Sequence, residues 1–290
     1  MSDIELSVVI PAYNEEHGIS NVLDELQKVM SDIGISYEIV VVDDGSEDNT
    51  TEMVRGKKGI ILVQHPANKG YGAALKTGIR HSNGEFILIT DADGTYPTKE
   101  VPKLLEYKDD YDMVVGARIN KKAKIPLSRR PAKFFLSKLA NYLAETKIPD
   151  LNSGMRIFRK ETAEQFLNIL PSGFSFTATI TLAYLSNDYL IKYVPIDYYE
   201  RKGKSKISPV RDTLGFTSLI IRTITYFNPL KVFLPIGLAL FFAAIFVFAY
   251  STFVLGRFMD VATIVLVVAS IQIALFGLLA DLVVRRSEHE

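Results

Sequence analysis

Phe86-Ile87-Leu88-Ile89-Thr90-Asp91-Ala92-Asp93 is a short apolar run that stops on two carboxylates. The same pattern recurs through the first 117 residues. Leu6–Ile10, Glu38–Val42, Ile60–Gln64, Phe86–Thr90 and Met113–Gly116 read as strands, and amphipathic stretches near Glu15–Met30, Asp48–Arg55, Tyr71–His81 and Thr98–Tyr107 read as helices between them. Apolar strands joined by helices predict an α/β fold with a mostly parallel sheet covered on both faces. In such sheets ligands bind beyond the carboxyl ends of the strands. The polar clusters fall there: Pro11-Ala12-Tyr13-Asn14-Glu15, Asp43-Asp44-Gly45-Ser46, Asn68-Lys69-Gly70, Asp91-Ala92-Asp93 and Gly116-Ala117-Arg118.

Composition narrows the chemistry. The 290 residues hold 33 basic and 33 acidic side chains, which argues against a nucleic-acid binder, and no cysteine, which excludes disulfides, thiolate metal sites and a thiol nucleophile. The first strand is not followed by G-x-G-x-x-G, and no G-x-x-x-x-G-K-[ST] occurs, so dinucleotide-binding and P-loop readings fall away. Leaving a strand, residues i and i+2 point the same way. Asp91 and Asp93 can therefore converge on one divalent ion, Mg²⁺ or Mn²⁺, whose remaining ligands are diphosphate oxygens. With Asp43, Asp44, Tyr13 and Glu15 nearby, the site suits a nucleotide held by its base and a metal-bound diphosphate.

Charge and hydropathy are both segregated. Residues 1–117 net −11, residues 118–160 net +10 and residues 200–231 net +5. Val232–Leu255 and Val261–Ala280 are charge-free runs of 24 and 20 residues, against about 20 needed to cross a bilayer. They read as two transmembrane helices joined by a tight hairpin at Gly256–Asp260. Arg222, Lys231, Arg285 and Arg286 flank them, and the positive-inside bias puts both outer ends in the cytoplasm. Met1–Leu6, which carries Asp3 and Glu5, does not read as a signal peptide. An Arg130–Thr146 helix and a Val210–Phe227 helix, each mixing large apolar residues with Lys or Arg, read as interfacial.

The ordered motifs resemble glycosyltransferase family 2, within the polyprenyl-phosphate sugar synthases of dolichol-phosphate-mannose synthase type. They are Val8–Glu15, Val42–Ser46, Lys69–Ala73, Asp91–Gly94, Gly116–Arg118, Asn152-Ser153-Gly154-Met155-Arg156 and Arg201–Lys206. The resemblance implies a GT-A-type domain over residues 1–207 that includes the 130–146 helix, then an interfacial helix at 208–229, then a two-helix hairpin with a short tail at 230–290. It implies that Pro11, Tyr13, Glu15 and Asp44, with Lys69, line the donor pocket. It makes Asp91 and Asp93 the D-x-D of metal and sugar nucleotide, and sets Asp150 and Ser153 near the acceptor phosphate. Where such enzymes often carry Gln two residues after the second aspartate, this chain has Thr95, a weaker ligand.

The basic segments then acquire a role. A lipid phosphate monoester has a second pKa near 6, so at neutral pH it is already anionic and needs no strong base. The site must instead screen one anion from another and orient an oxygen behind the anomeric carbon. Arg118, Arg129, Arg130, Arg201, Lys204 and Lys206 are the candidate clamp, Arg118 and Arg201 acting with Asp150 and Asp93 in catalysis; Asp150 orients rather than abstracts a proton. The expected reaction is hexose transfer, with inversion, from a UDP- or GDP-linked donor to a polyprenyl phosphate at the cytoplasmic face of the plasma membrane. Another lipid or glycan acceptor is the alternative. A processive polysaccharide synthase would resemble a family carrying Q-x-x-R-W, and this chain has no Trp. The two-helix anchor leaves apolar surface on which copies can pack as a homo-oligomer.

Overall fold

The computed structural model describes residues 4–119, 138, 141, 146–199, 221, 225–256 and 261–287. The expected interfacial helices lie largely outside these residues, as do Arg129, Arg130, Arg201, Lys204 and Lys206. The chain divides into two compact units, Met1–Phe216 and Thr217–Glu290.

The first unit is an α/β layer structure. Its order is β1 Leu6–Ala12, α1 Ile19–Ile33, β2 Tyr37–Asp43, α2 Thr50–Arg55, β3 Ile60–Gln64, α3 Tyr71–His81 and β4 Phe86–Ile89. A 3-10 turn at Thr98–Glu100 follows, then α4 Val101–Leu105, β5 Met113–Ala117, β6 Arg156–Arg159, α5 Lys160–Phe166, α6 Phe176–Ser186 and β7 Ile191–Pro195. The seven strands run β3-β2-β1-β4-β6-β5-β7, all parallel except β6. β1, β2, β4 and β5 are almost wholly buried because helices cover both faces. Thus the mostly parallel sheet expected from the first 117 residues is present, with helix α1 starting four residues later than its pattern suggested.

The antiparallel β6 positions the site. It pairs Ile89 of β4 and Val115 of β5 with Arg156, its first residue. Because it runs against its neighbours, the residues just before it arrive at the carboxyl ends of β4 and β5. A chain segment distant in sequence, Asp150–Met155, is thereby delivered beside Asp91.

The second unit contains α7 Leu230–Phe253 and α8 Val261–Ser287, two helices long and apolar enough to cross a membrane. Gly237, Ala244 and Ser251 are buried on α7, seven residues apart, and Thr263 and Ser270 are buried on α8. A Cβ on Gly237 would lie 3.3 Å from the Ser270 carbonyl oxygen, so small residues let the two backbones approach. Phe242, Phe246, Phe253, Phe276 and Leu279 point outward and are more than half exposed. The hairpin is therefore not the buried core of a soluble domain.

Candidate active site

The D-x-D segment lies on a turn, since β4 ends at Ile89. Its carboxylates are therefore aimed by their neighbours rather than by strand alternation. The Tyr71 hydroxyl donates to Asp91 Oδ1 at 3.0 Å. Gly154 packs on the other oxygen so closely that a Cβ there would lie 2.7 Å from Asp91 Oδ2. Asp93 Oδ1 accepts from the Thr95 backbone N–H at 3.0 Å and from the Thr95 hydroxyl at 2.7 Å. Thr95 thus orients Asp93, whatever it does for a metal. Among the described residues no cluster of three or more metal-ligating side chains forms. Two carboxylates fit a hard divalent ion that takes its other oxygens from a diphosphate and water, the usual mode for Mg²⁺.

Asp44 is 2% exposed, and both its oxygens are engaged. Oδ1 accepts from the Lys69 backbone N–H at 2.9 Å and lies 2.6 Å from His65 Nδ1; Oδ2 accepts from the Gly70 N–H at 2.8 Å. His65 Nε2 is 2.9 Å from the Thr77 hydroxyl. Asp44 therefore fastens the loop that enters α3. Gly70, at φ +101°, takes a conformation other residues rarely adopt, and a Cβ on it would meet the Ser172 carbonyl oxygen at 2.5 Å. Lys69 is exposed on this loop. The ring of Tyr71 stacks on exposed Phe174, centroids 5.7 Å apart.

Pro11 is buried at the end of β1, with Tyr13 and Glu15 half-buried in the loop beyond it. That loop is knitted to the one after β2. The Asn14 N–H donates to Ser46 Oγ at 3.0 Å, the Glu47 N–H to Asn14 Oδ1 at 2.8 Å and the Glu15 N–H to Thr50 Oγ1 at 2.8 Å.

Across the sheet, Arg118 and Asp150 form a bidentate pair. Nε donates to Oδ2 at 2.7 Å and Nη2 to Oδ1 at 2.8 Å, and the Arg118 backbone N–H adds a third bond at 3.1 Å. Burial alone would raise the Asp150 carboxyl, but the hydrogen bonds and charge of Arg118 outweigh it and hold the group below its ordinary value. For Arg118, burial is likewise outweighed by Asp150 and the guanidinium is raised. The guanidinium carbon also sits 5.2 Å from the centre of the Tyr198 ring. The partner of Arg118 is thus Asp150, and not a carboxylate of the acidic first 117 residues.

Ser153 is completely buried and donates its hydroxyl to the Gly116 carbonyl at 2.5 Å. It ties the turn before β6 to the end of β5, rather than presenting its hydroxyl to an acceptor. The neighbouring Gly154 N–H donates to the Tyr96 hydroxyl at 2.6 Å. Sequence reading did not single out Tyr71, Tyr96, His65 or Arg156 as site residues. Their roles depend on contacts between distant segments, and Arg156 was visible only as the last residue of its motif.

The geometry brings Asp91, Asp93, Arg118 and Asp150 to one edge of the sheet, and known proteins resemble this chain in sequence and in fold. Residues 7–167 match the family described as glycosyl transferase family 2, and residues 228–285 match a GtrB C-terminal hairpin. A dolichyl-phosphate hexose transferase of Haloferax volcanii is 33% identical over 207 residues, 71% of this chain and 87% of that protein. A dolichyl-phosphate beta-glucosyltransferase of Dictyostelium discoideum is 28% identical over 77% of this chain and 74% of its own length. Among solved structures, glucosyl-3-phosphoglycerate synthase of Mycobacterium tuberculosis, crystallised with Mn²⁺, UDP and phosphoglyceric acid, superposes with a TM-score of 0.59. It covers 76% of this chain and 78% of its own at 20% identity, a likeness of fold. The chain belongs to glycosyl transferase family 2.

Proposed function

We propose that this glycosyltransferase moves a hexose from a nucleotide sugar to the phosphate of a polyprenyl phosphate, inverting the anomeric centre. The observation that carries the reading is how the carboxylates at the site edge are engaged. Asp44 is held by His65 and two amides, Asp150 by Arg118, Asp91 by Tyr71 and Asp93 by Thr95. A hydroxyl acceptor needs a base to take its proton, whereas a phosphate monoester reaches the site already ionised. Such a site matches an acceptor that brings its own charge. The names of the Haloferax and Dictyostelium relatives, which specify dolichyl phosphate, support the same acceptor class.

In this reading an acceptor phosphate oxygen attacks the anomeric carbon as the bond to the donor's diphosphate oxygen breaks. The nucleoside diphosphate leaves, and no enzyme nucleophile intervenes. Arg118, with Arg129, Arg130, Arg201, Lys204 and Lys206 from the basic segments, screens the two anions from one another. Asp91 and Asp93 would hold Mg²⁺ or Mn²⁺, which supplies charge neutralisation to the leaving diphosphate. Donor contacts fall to the loops carrying Tyr13, Glu15 and Lys69. The hairpin spans the membrane with both ends in the cytoplasm, where nucleotide sugars and basic flanks belong together.

A screen of UDP-glucose, UDP-galactose, UDP-GlcNAc and GDP-mannose against undecaprenyl and dolichyl phosphates, with the full chain in detergent, tests this. One pair should give a solvent-extractable sugar lipid. Transfer to a lipid or glycan hydroxyl, with none to polyprenyl phosphate, would overturn the reading.

A further inference from the structure

Arg156 begins β6 and is 0% exposed, the largest fully buried side chain of the described residues. Its partners are neutral. Nε and Nη2 both donate to the Ser153 carbonyl, at 3.1 and 2.5 Å, and Nη1 donates to the Thr177 carbonyl at 2.9 Å and the Thr181 hydroxyl at 2.8 Å. None of the ion pairs among the described residues includes it. A buried guanidinium without a carboxylate is costly to desolvate, and a hydrophobic residue would fill such a space more cheaply. Its place in the fold explains what it does.

The carbonyl it grips belongs to the turn that links both sides of the site. At one end of the turn Asp150 pairs with Arg118. At the other, Gly154 rests on Asp91 Oδ2 while its N–H is held by Tyr96. From below, Ser153 is held twice, by Arg156 through its carbonyl and by the Gly116 carbonyl through its hydroxyl. We propose that Arg156 is a positioning residue for glycosyl transfer: by gripping the Ser153 carbonyl from the core it sets the separation between Asp91 and the Arg118–Asp150 pair. The proposal rests on the transferase reading above and deepens it. A residue that sets the spacing of reacting groups governs the rate of the bound complex more than donor affinity.

The test uses the full chain in detergent, comparing wild type, Arg156→Lys, Arg156→Gln and Thr181→Val by kcat, donor KM and thermal melting. Lysine keeps the charge but cannot make the planar grip, so kcat should fall about 10-fold in Arg156→Lys and about 100-fold in Arg156→Gln, with donor KM within about twofold. Thr181→Val removes one acceptor and should lower kcat by roughly 2- to 5-fold. Combining Arg156→Gln with Tyr96→Phe should cost less than the product of the single losses, since both hold one turn. Lower melting temperatures with unchanged kcat per folded enzyme would overturn the proposal, as would strictly multiplicative losses. If the Arg156 variants do not fold, an unaltered kcat in Thr181→Val overturns it alone. A wild type inert toward every donor and acceptor removes the transferase reading and this role together; an active wild type with unaltered Arg156 variants removes this role only.

Discussion

The two halves of the sheet handle charge differently. On the side proposed for the donor, carboxylates are held by neutral donors: Tyr71 and Thr95 for Asp91 and Asp93, two backbone amides for Asp44, beside His65. On the side proposed for the acceptor, Asp150 is neutralised by Arg118, and the buried Arg156 adds a further cation. Neutral donors orient a carboxylate while leaving its negative charge for a cation, whereas a paired carboxylate beside a surplus cation favours an incoming anion. In the proposed reaction, one edge of one sheet would thus serve a metal-bound diphosphate and a phosphate.

The largest effect is expected at the donor carboxylates. Asp93→Asn keeps the contact to Thr95 but removes the charge, and turnover should fall about 1,000-fold or more while circular dichroism and melting stay near wild type. Excess EDTA should do the same. Full activity in either case would mean that the donor side holds no metal.

On the acceptor side, Arg118→Ala should lower kcat/KM for the lipid phosphate by about 10- to 1,000-fold, roughly 1.4–4 kcal/mol. It also strands Asp150, so the folded state should lose on the order of 1–3 kcal/mol. Replacing both partners by apolar residues should restore part of the stability and none of the activity. Restored activity in that double variant would show the pair to be structural only.

The parallel half was legible because its residues speak locally. Each strand is a continuous apolar run, and the acidic or glycine-bearing turn follows within a few positions, so Asp44, Asp91 and Asp93 could be placed at strand ends before any coordinates. β6, α5, α6 and β7 fall beyond the segment with that regular alternation. The antiparallel insertion of β6 between β4 and β5 is a tertiary choice, and it alone brings Gly154 to Asp91. The same distance in sequence concealed what Ser153 and Arg156 do. The isolated D-x-D suggested strand alternation, whereas a turn with three neighbours aims the two carboxylates.

A pH profile sharpens the contrast with a smaller effect. The Asp150 carboxyl is held below its usual value, so its contribution to stability is complete above the unfolded pKa of about 3.9 and is lost only as pH falls through the lower folded value. Between pH 5 and 8 this pair should leave the melting temperature flat. Activity should nevertheless decline below about pH 6, as the acceptor phosphate takes up its second proton. An acid limb near pH 4, removed by Asp150→Asn, would instead make Asp150 the titrating group.

A modest change is expected of Tyr71→Phe, which releases one hydrogen bond to Asp91 and should lower kcat by roughly 3- to 10-fold with the donor side otherwise intact. No change would mean that Tyr71 does not orient Asp91.

The most direct test of the whole account is the structure of the product. Nuclear magnetic resonance of the sugar lipid made by the full chain should show the anomeric carbon joined to the polyprenyl phosphate oxygen, in the configuration opposite to that of the donor. A retained configuration, or a sugar joined to anything other than that phosphate, would contradict it.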